Sequence, residues 1–306
     1  MQGQVINGFV LKKLLGRGGM AKVWHSESKS GQKEIISKVI AITAALVVFL
    51  GSHNLNGAVE GDTDIPSGVF SVSPTEKVRF AQGNIQYQKC TETWHFAEHQ
   101  YDYAGKNGKP DTEASYYGWI DYCQWGPGSH PAGIYEYYIE DDAEIESFWD
   151  WGNNNIINGD SLKWRTLSIE EWKYILNKRK TVSGIRYVKA QVNGICGLIL
   201  LPDNWSELTF PLKNPNKSDV DFCNIITIEQ WDDMEKSGAV FLPAAGRVWL
   251  DVVENVGSQG CYWSSTPHKN IGSGSACYVY FDENCIDFKT CHFEDGMSVR
   301  LVSPVK

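Results

Sequence analysis

The chain has 306 residues, 42% of them hydrophobic, and a formal net charge of −9. That length can bury a core without covalent staples. With no basic stripe after residue 40, the acidic balance excludes nucleic acid as a partner. Twelve Trp, 14 Tyr, 12 Phe and 29 Gly indicate a loop-rich fold pinned by aromatic anchors, or a binding surface. Eight cysteines form no C-x-x-C pair and no zinc-type Cys/His alternation, so free or opportunistically paired thiols are favoured over a disulfide framework.

Composition divides the chain into residues 1–38, 39–60 and 61–306. In the first zone, "LLGRGGMAKVW" places Gly16, Gly18, Ala21 and Val23 in a G-x-G-x-x-[GA]-x-V pattern, and Lys38 follows in "IISKVI". These residues resemble the first three strands of a bacterial Ser/Thr protein kinase, with Lys38 at the phosphate-pairing position. No H-R-D and no D-F-G triplet occurs in the sequence, so phosphoryl transfer lacks both its aspartate base and its metal-holding aspartate. The zone reads as a kinase N-lobe-like fragment without activity. Residues 39–50, "VIAITAALVVFL", are too short for a membrane span of roughly 20 residues and suit a signal-peptide core behind Lys33 and Lys38. A signal or anchor role is favoured over a buried strand or helix, which implies a secreted or cell-surface protein with membrane anchoring through 39–50.

From Gly61 onward, "GVFSVS" and "KVRFAQGNIQYQ" alternate apolar and polar residues about a Ser73–Glu76 turn and predict a hairpin. Ser168 with Glu171 and Thr227 with Gln230 form capping boxes that open two helices, "SIEEWKYILNKR" and "TIEQWDDMEKSG". "CGLILLP" and "GAVFLPAAG" are short apolar runs ended by Pro and predict buried strands, while "GCYWSST", "ACYVYF" and "MSVRLVS" predict the closing strands. Long irregular stretches, above all 97–163, carry "GWIDYCQWG" and "FWDWGNN". The order "VRFAQGNIQY", "WRTLSIEEWKYIL", "GLILLPDNW", "GAVFLPAAG", "YWSST", "SVRLV" resembles a Bacteroidales family of C-type-lectin-fold proteins that includes the variable proteins of diversity-generating retroelements. The resemblance covers about residues 65–304. It implies an α+β, C-type-lectin-like fold in which two helices flank small antiparallel sheets with long aromatic-rich loops, and a ligand-binding face in the C-terminal segment.

Cys285 and Cys291 suggest a thiol oxidase related to formylglycine-generating enzymes, but "NCIDFKTCH" does not resemble the Arg-rich motif of those enzymes. Neighbouring His292 would also point to the opposite face of a strand from Cys291. Calcium-lectin triplets are missing, and the acidic run 140–146 reads as a solvated loop. No catalytic residue, metal ligand or cofactor is therefore expected. In "ACYVYFDEN", Ala276, Val279 and Phe281 read as framework, and Tyr278, Tyr280 and Asp282 share one face by the two-residue period. With Cys261, His268, Asn270, Asn284, Asp287, Phe288, His292 and Phe293 they form an expected ligand face of rigid aromatics and small polar groups. The resemblance adds a reason for the mixture: adenine-directed mutagenesis of asparagine codons reaches all these residue types but not Lys, Glu or Met. Lys289, Glu294 and Met297 then read as framework. The expected partner is a macromolecule, a protein above all, of unspecified identity. A non-diversified surface domain of the same fold is the alternative.

Overall fold

The computed structural model describes residues 5–6, 9–17, 21–28, 33–39, 68–88, 91, 93–103, 118–125, 150–154, 157, 164–206, 211–249, 252–268 and 274–305. The chain divides into two units, Met1–Glu60 and Gly61–Lys306.

The first unit is an antiparallel meander of β1 (Val5–Ile6), β2 (Phe9–Arg17), β3 (Ala21–Ser28) and β4 (Lys33–Val39), paired in that order. Gly16 stands opposite Val23, and Lys22 opposite Lys38. The signal or anchor expectation for 39–60 falls, beyond Val39, outside the described residues. No described helix is long and apolar enough to cross a membrane.

The second unit opens with β5 (Phe70–Ser71) and β6 (Lys77–Phe80), which pair across the predicted turn, and β18 (Val302–Pro304) closes onto the far side of β6. A two-stranded ladder of β7 (Ile85–Gln88) and β8 (Thr93–Phe96) follows. The short α1 (Trp151–Asn154) begins where Asp150 accepts the Gly152 amide. Helix α2 (Ile169–Lys173) starts at the Ser168–Glu171 capping box and widens into a π turn over Tyr174–Lys178. Helix α3 (Ile228–Lys236) starts at the Thr227–Gln230 box. In both boxes the side chains and amides bond reciprocally, so the donors that an N-terminal turn leaves over are satisfied locally.

Two larger sheets, separated in the chain by a short hairpin, carry most of the burial. β9 (Tyr187–Val192), β10 (Ile195–Leu200), β11 (Asn224–Ile226) and β12 (Val240–Pro243) form one sheet in the order β11-β9-β10-β12. β13 (Arg247–Trp249) pairs with β14 (Val252–Glu254) as a hairpin. β15 (Gly260–Pro267), β16 (Ser275–Phe281) and β17 (Ile286–His292) form a three-stranded antiparallel sheet. Successive side chains of a strand point to opposite faces, and here both faces are covered. Leu198, Leu200 and Leu242 enter one core cluster with Phe80 and Trp172, while Ile199 and Phe241 enter another with Trp231 and Met234 of α3. Likewise Val279 and Phe281 of β16 face the first cluster, and Tyr278 and Tyr280 face a third with Trp125 and Trp263. Gly260 stands opposite Phe281, where a Cβ would lie 2.0 Å from the ring, so glycine is required.

Strand (41%) far outweighs helix (12%), spread over several small sheets, so the fold is mainly β. The α+β, C-type-lectin-like expectation with two flanking helices is corrected. Both capped helices form, but they are short, and the mass of the buried core comes from strands.

One buried cation joins these sheets. Arg300 is 1% exposed. Its Nε donates to Asn84 Oδ1 at 2.9 Å, Nη1 to Gln100 Oε1 at 3.2 Å, and Nη2 to Phe241 O at 2.9 Å. Gln100 also accepts the Phe241 amide at 2.8 Å and donates to Glu235 at 2.8 Å. Replacing Arg300 with Met strips the buried Asn84 Oδ1 and Phe241 O of this donor and leaves Gln100 Oε1 with the Phe241 amide alone. Unsatisfied buried groups cost about 1–3 kcal/mol each, so Arg300→Met is expected to lower unfolding free energy in urea titration by about 3–5 kcal/mol. The exposed control Lys180→Met is expected to change it by no more than about 0.5 kcal/mol.

Candidate functional site

The C-terminal sheet and the β13–β14 hairpin beside it bring most of the chemistry together. Pairing of β15, β16 and β17 sets up rows across the sheet: Cys261, Tyr280 and Asp287 in one, Trp263, Tyr278 and Lys289 in the next, then Ala276 and Cys291. All of these share one face. Lys289 Nζ lies 3.3 Å from the centre of the Tyr280 ring, which it caps as a cation–π partner. The Tyr280 hydroxyl donates to Asp282 Oδ2 at 2.7 Å, and Asp282 Oδ1 accepts the Asn284 and Cys285 amides, both at 2.8 Å. Burial would raise the Asp282 carboxyl, but these bonds outweigh it and hold the group below the usual carboxylate range. Burial pushes the Tyr278 and Tyr280 phenols up.

The hairpin reaches this face through Arg247. Val248 and Gly296 exchange backbone bonds at 2.8 and 2.9 Å, which fixes the hairpin against the end of the sheet. The Arg247 guanidinium lies 3.5 Å from Glu254 and 3.8 Å from Asp295, and it stands 5.6 Å from the Trp249 ring centre. Arg247 and Trp249 share a face by the strand period, and Trp249 opposes Val252. Trp249 is 44% and Val252 54% exposed, which makes the hairpin end an apolar projection beside a charged rim.

The expected ligand face is only partly displayed. Cys261, Tyr278 and Tyr280 are buried rather than exposed, because their side of the sheet packs on Trp125, Trp263 and Met297. Ala276, read as framework with Val279 and Phe281, lies on the Tyr278 face, and Val279 and Phe281 lie on the other. Phe288 packs on the first core cluster, from the opposite face to Tyr280, with Lys173 Nζ 5.8 Å from its ring centre. Phe293 stacks on Trp125 at 4.6 Å. His268 is half-buried, and its amide donates to Ser275 O at 2.8 Å. Asp282 is half-buried, while Asn284, Asp287 and His292 are exposed. Asn270 lies outside the described residues. Sequence reasoning missed Arg247 and Trp249, assigned Lys289 to framework, and read Asp295 as part of a solvated acidic face, whereas it is buried. The signal for the first two was "RVW", an Arg and a Trp two residues apart in a short strand flanked by "LDV".

Seven cysteines are described, and all are free: Cys123, Cys196, Cys223, Cys261, Cys277, Cys285 and Cys291. Burial raises Cys285, and it raises Cys291 further with help from the Asp295 carboxylate beside it. Both therefore stay neutral thiols at pH 7, the opposite of the lowered pKa that a thiol nucleophile needs. Among the described residues no group of three or more His, Cys, Asp or Glu side chains is placed to hold a metal ion.

A family model described as "Domain of unknown function (DUF8237)" matches residues 210–302, a stretch that takes in α3, the hairpin and the whole C-terminal sheet. No curated protein and no solved structure matches the chain.

Burial pushes the Cys261 thiol up to about 12. An unfolded thiol titrates near 8.5, so above that pH the unfolded chain loses a proton that the folded chain keeps. Stability is then fully present below about pH 8.5 and falls as pH rises toward 12. Urea titrations between pH 8 and pH 11 are expected to show this fall. Cys261→Ala is expected to flatten its slope by up to about 1.4 kcal/mol per pH unit.

Proposed function

We propose that the chain is a non-enzymatic binding protein, secreted or held at a cell surface, whose C-terminal unit presents a protein ligand with the β13–β14 hairpin and the exposed rim of the C-terminal sheet. The observation that carries this reading is the pair Trp249 and Val252, exposed side by side on a hairpin fixed to a fully packed sheet. An aromatic anchor on a rigid support, with the Arg247 guanidinium 5.6 Å from its ring and Glu254 and Asp295 beside that guanidinium, has the composition of a protein-binding hot spot with a polar rim. The neutral state of the Cys285 and Cys291 thiols weighs against the oxidase alternative.

The retroelement reading belongs to the same proposal. Diversification is tolerable where a side chain leaves the core undisturbed, which the exposure of Asn284, Asp287 and His292 allows and the burial of Cys261, Tyr278 and Tyr280 restricts. The test is to sequence the coding region for residues 260–293 in many isolates and to search the flanking DNA. A near-repeat of that region with a nearby reverse transcriptase gene is expected. Substitutions are expected at adenines of codons 284, 287 and 292, with the codons of Trp263 and Arg300 unchanged. Absence of both the repeat and the reverse transcriptase rejects diversification. Binding by Trp249 and Val252 stands or falls separately, on loss of ligand by Trp249→Ala.

A further inference from the structure

We propose that β17 pairs with β17 of a second copy of this chain, in antiparallel register centred on Phe288. β17 is the last strand of its sheet, and no described strand lies along its outer edge. The Phe293 amide donates to Gly274 O at 2.7 Å and the Asp282 amide to Cys285 O at 3.1 Å. In an antiparallel ladder residues alternate between bonding inward and bonding outward. Odd-numbered residues of β17 therefore bond to β16, and Ile286, Phe288, Thr290 and His292 turn their backbone groups outward. Such a row is a template for another strand. The line ends at His292, whose carbonyl already accepts the Asp295 amide at 3.1 Å, and just beyond it the Trp125 amide takes Phe293 O at 2.9 Å.

The charges on the strand choose both the occupant and the register. Within β17 the charged residues are Asp287 and Lys289, with Phe288 between them. Two-fold pairing centred on Asp287 or on Lys289 sets like charges directly opposite each other, which is destabilising. Centred on Phe288, it sets Asp287 opposite Lys289 of the second copy, twice, and Ile286 opposite Thr290, twice. This register uses the outward-turned backbone groups of Ile286, Phe288 and Thr290, as the ladder requires. One outward amide already draws on a substitute acceptor: Phe288 N–H donates to Asp287 Oδ1 at 2.8 Å. Pairing replaces that acceptor with the carbonyl of the second copy's Phe288 and frees the Asp287 carboxylate for the second copy's Lys289. The contact is self-complementary and closed, as a two-fold dimer requires.

The experiment is sedimentation equilibrium of the full chain over a concentration range up to roughly 1 mM, the weak limit for a specific contact. A monomer–dimer equilibrium is expected. Asp287→Lys and Lys289→Asp each convert two opposite-charge pairs into two like-charge pairs, and each alone is expected to weaken the dimer at least tenfold. The double variant D287K/K289D restores opposite charges in the same register and is expected to return the dissociation constant to within about threefold of the starting value. Circular dichroism of each variant confirms that the fold is kept. A chain that stays monomeric throughout, single variants that dimerise as well as the parent, or a double variant that does not recover overturns the pairing. None of these outcomes bears on ligand binding by the hairpin, which Trp249→Ala tests separately.

Discussion

A guanidinium sealed from water must place all its donors on acceptors that come from distant parts of the chain. Arg300 does so with no carboxylate among its hydrogen-bond partners, which are the Asn84 and Gln100 side chains and the carbonyls of Ala81, Gln100 and Phe241. Burial lowers its pKa to about 10, so it stays charged at neutral pH and its acceptors remain under demand. Satisfying it joins the turn after β6, the turn after β8 and the middle of β12. Gln100 passes the connection to Glu235, and so to α3. Asn84 passes it to the Tyr262 hydroxyl, which donates to Pro243 O at 2.9 Å. A chain of this kind works as a unit, because each member orients the next and none can leave without stranding a buried partner.

The C-terminal sheet inherits its rigidity from that network. Tyr262 on β15 is tied to Asn84, and Tyr262 and Val279 pack on the first core cluster while Tyr278 and Tyr280 pack on the other side. With both faces buried, β16 has no freedom to slip register, since a shift of one residue would exchange its two apolar faces. Side chains that reach solvent from such a strand arrangement are few, and they are held in place. Trp249 and Val252 are exposed because the hairpin stands off the core, while Arg247 and the Val248–Gly296 bonds anchor it. The arrangement holds two exposed apolar side chains on a hairpin that the Val248–Gly296 bonds tie down, and such anchoring reduces the ordering cost of a contact made there.

Local signals were legible in the sequence, and long-range ones were not. The two capping boxes depend on residues three apart, and both helices begin where Ser168 and Thr227 place them. The apolar run at 196–202 covers all of β10 but its first residue, Ile195, and that at 238–246 contains β12, because fully buried strands are continuous in hydrophobicity. The fold class was misjudged because two well-marked helices weigh more in a sequence reading than many short strands with weak signals. The display face was misjudged for a related reason. Alternation in "ACYVYF" separates two faces but does not say which is solvated, and here neither is. Arg300, in "SVRLV", looked like an ordinary strand residue, since its acceptors lie about 60 to 220 residues away along the chain. Lys289 was read as framework from codon logic alone, whereas its position over Tyr280 follows from pairing to Tyr278 in the next row.

The two proposals meet at Asp287. If the tail is diversified, Asp287 is among the exposed positions free to change, yet it is also one half of the charge pair that selects the Phe288-centred register. Lys289 lies outside the set that adenine-directed change can reach, so the other half of the pair is constant. Variants that keep an acidic residue at 287 would pair, and those with Tyr, Ser or Gly would keep the backbone template but lose the charge preference. A paired molecule would carry two hairpins, and on a repetitive surface its second contact would be intramolecular, which strengthens binding without any new interface. Substitution at a single exposed position would then alter valency as well as local chemistry, and selection on the tail would act on both.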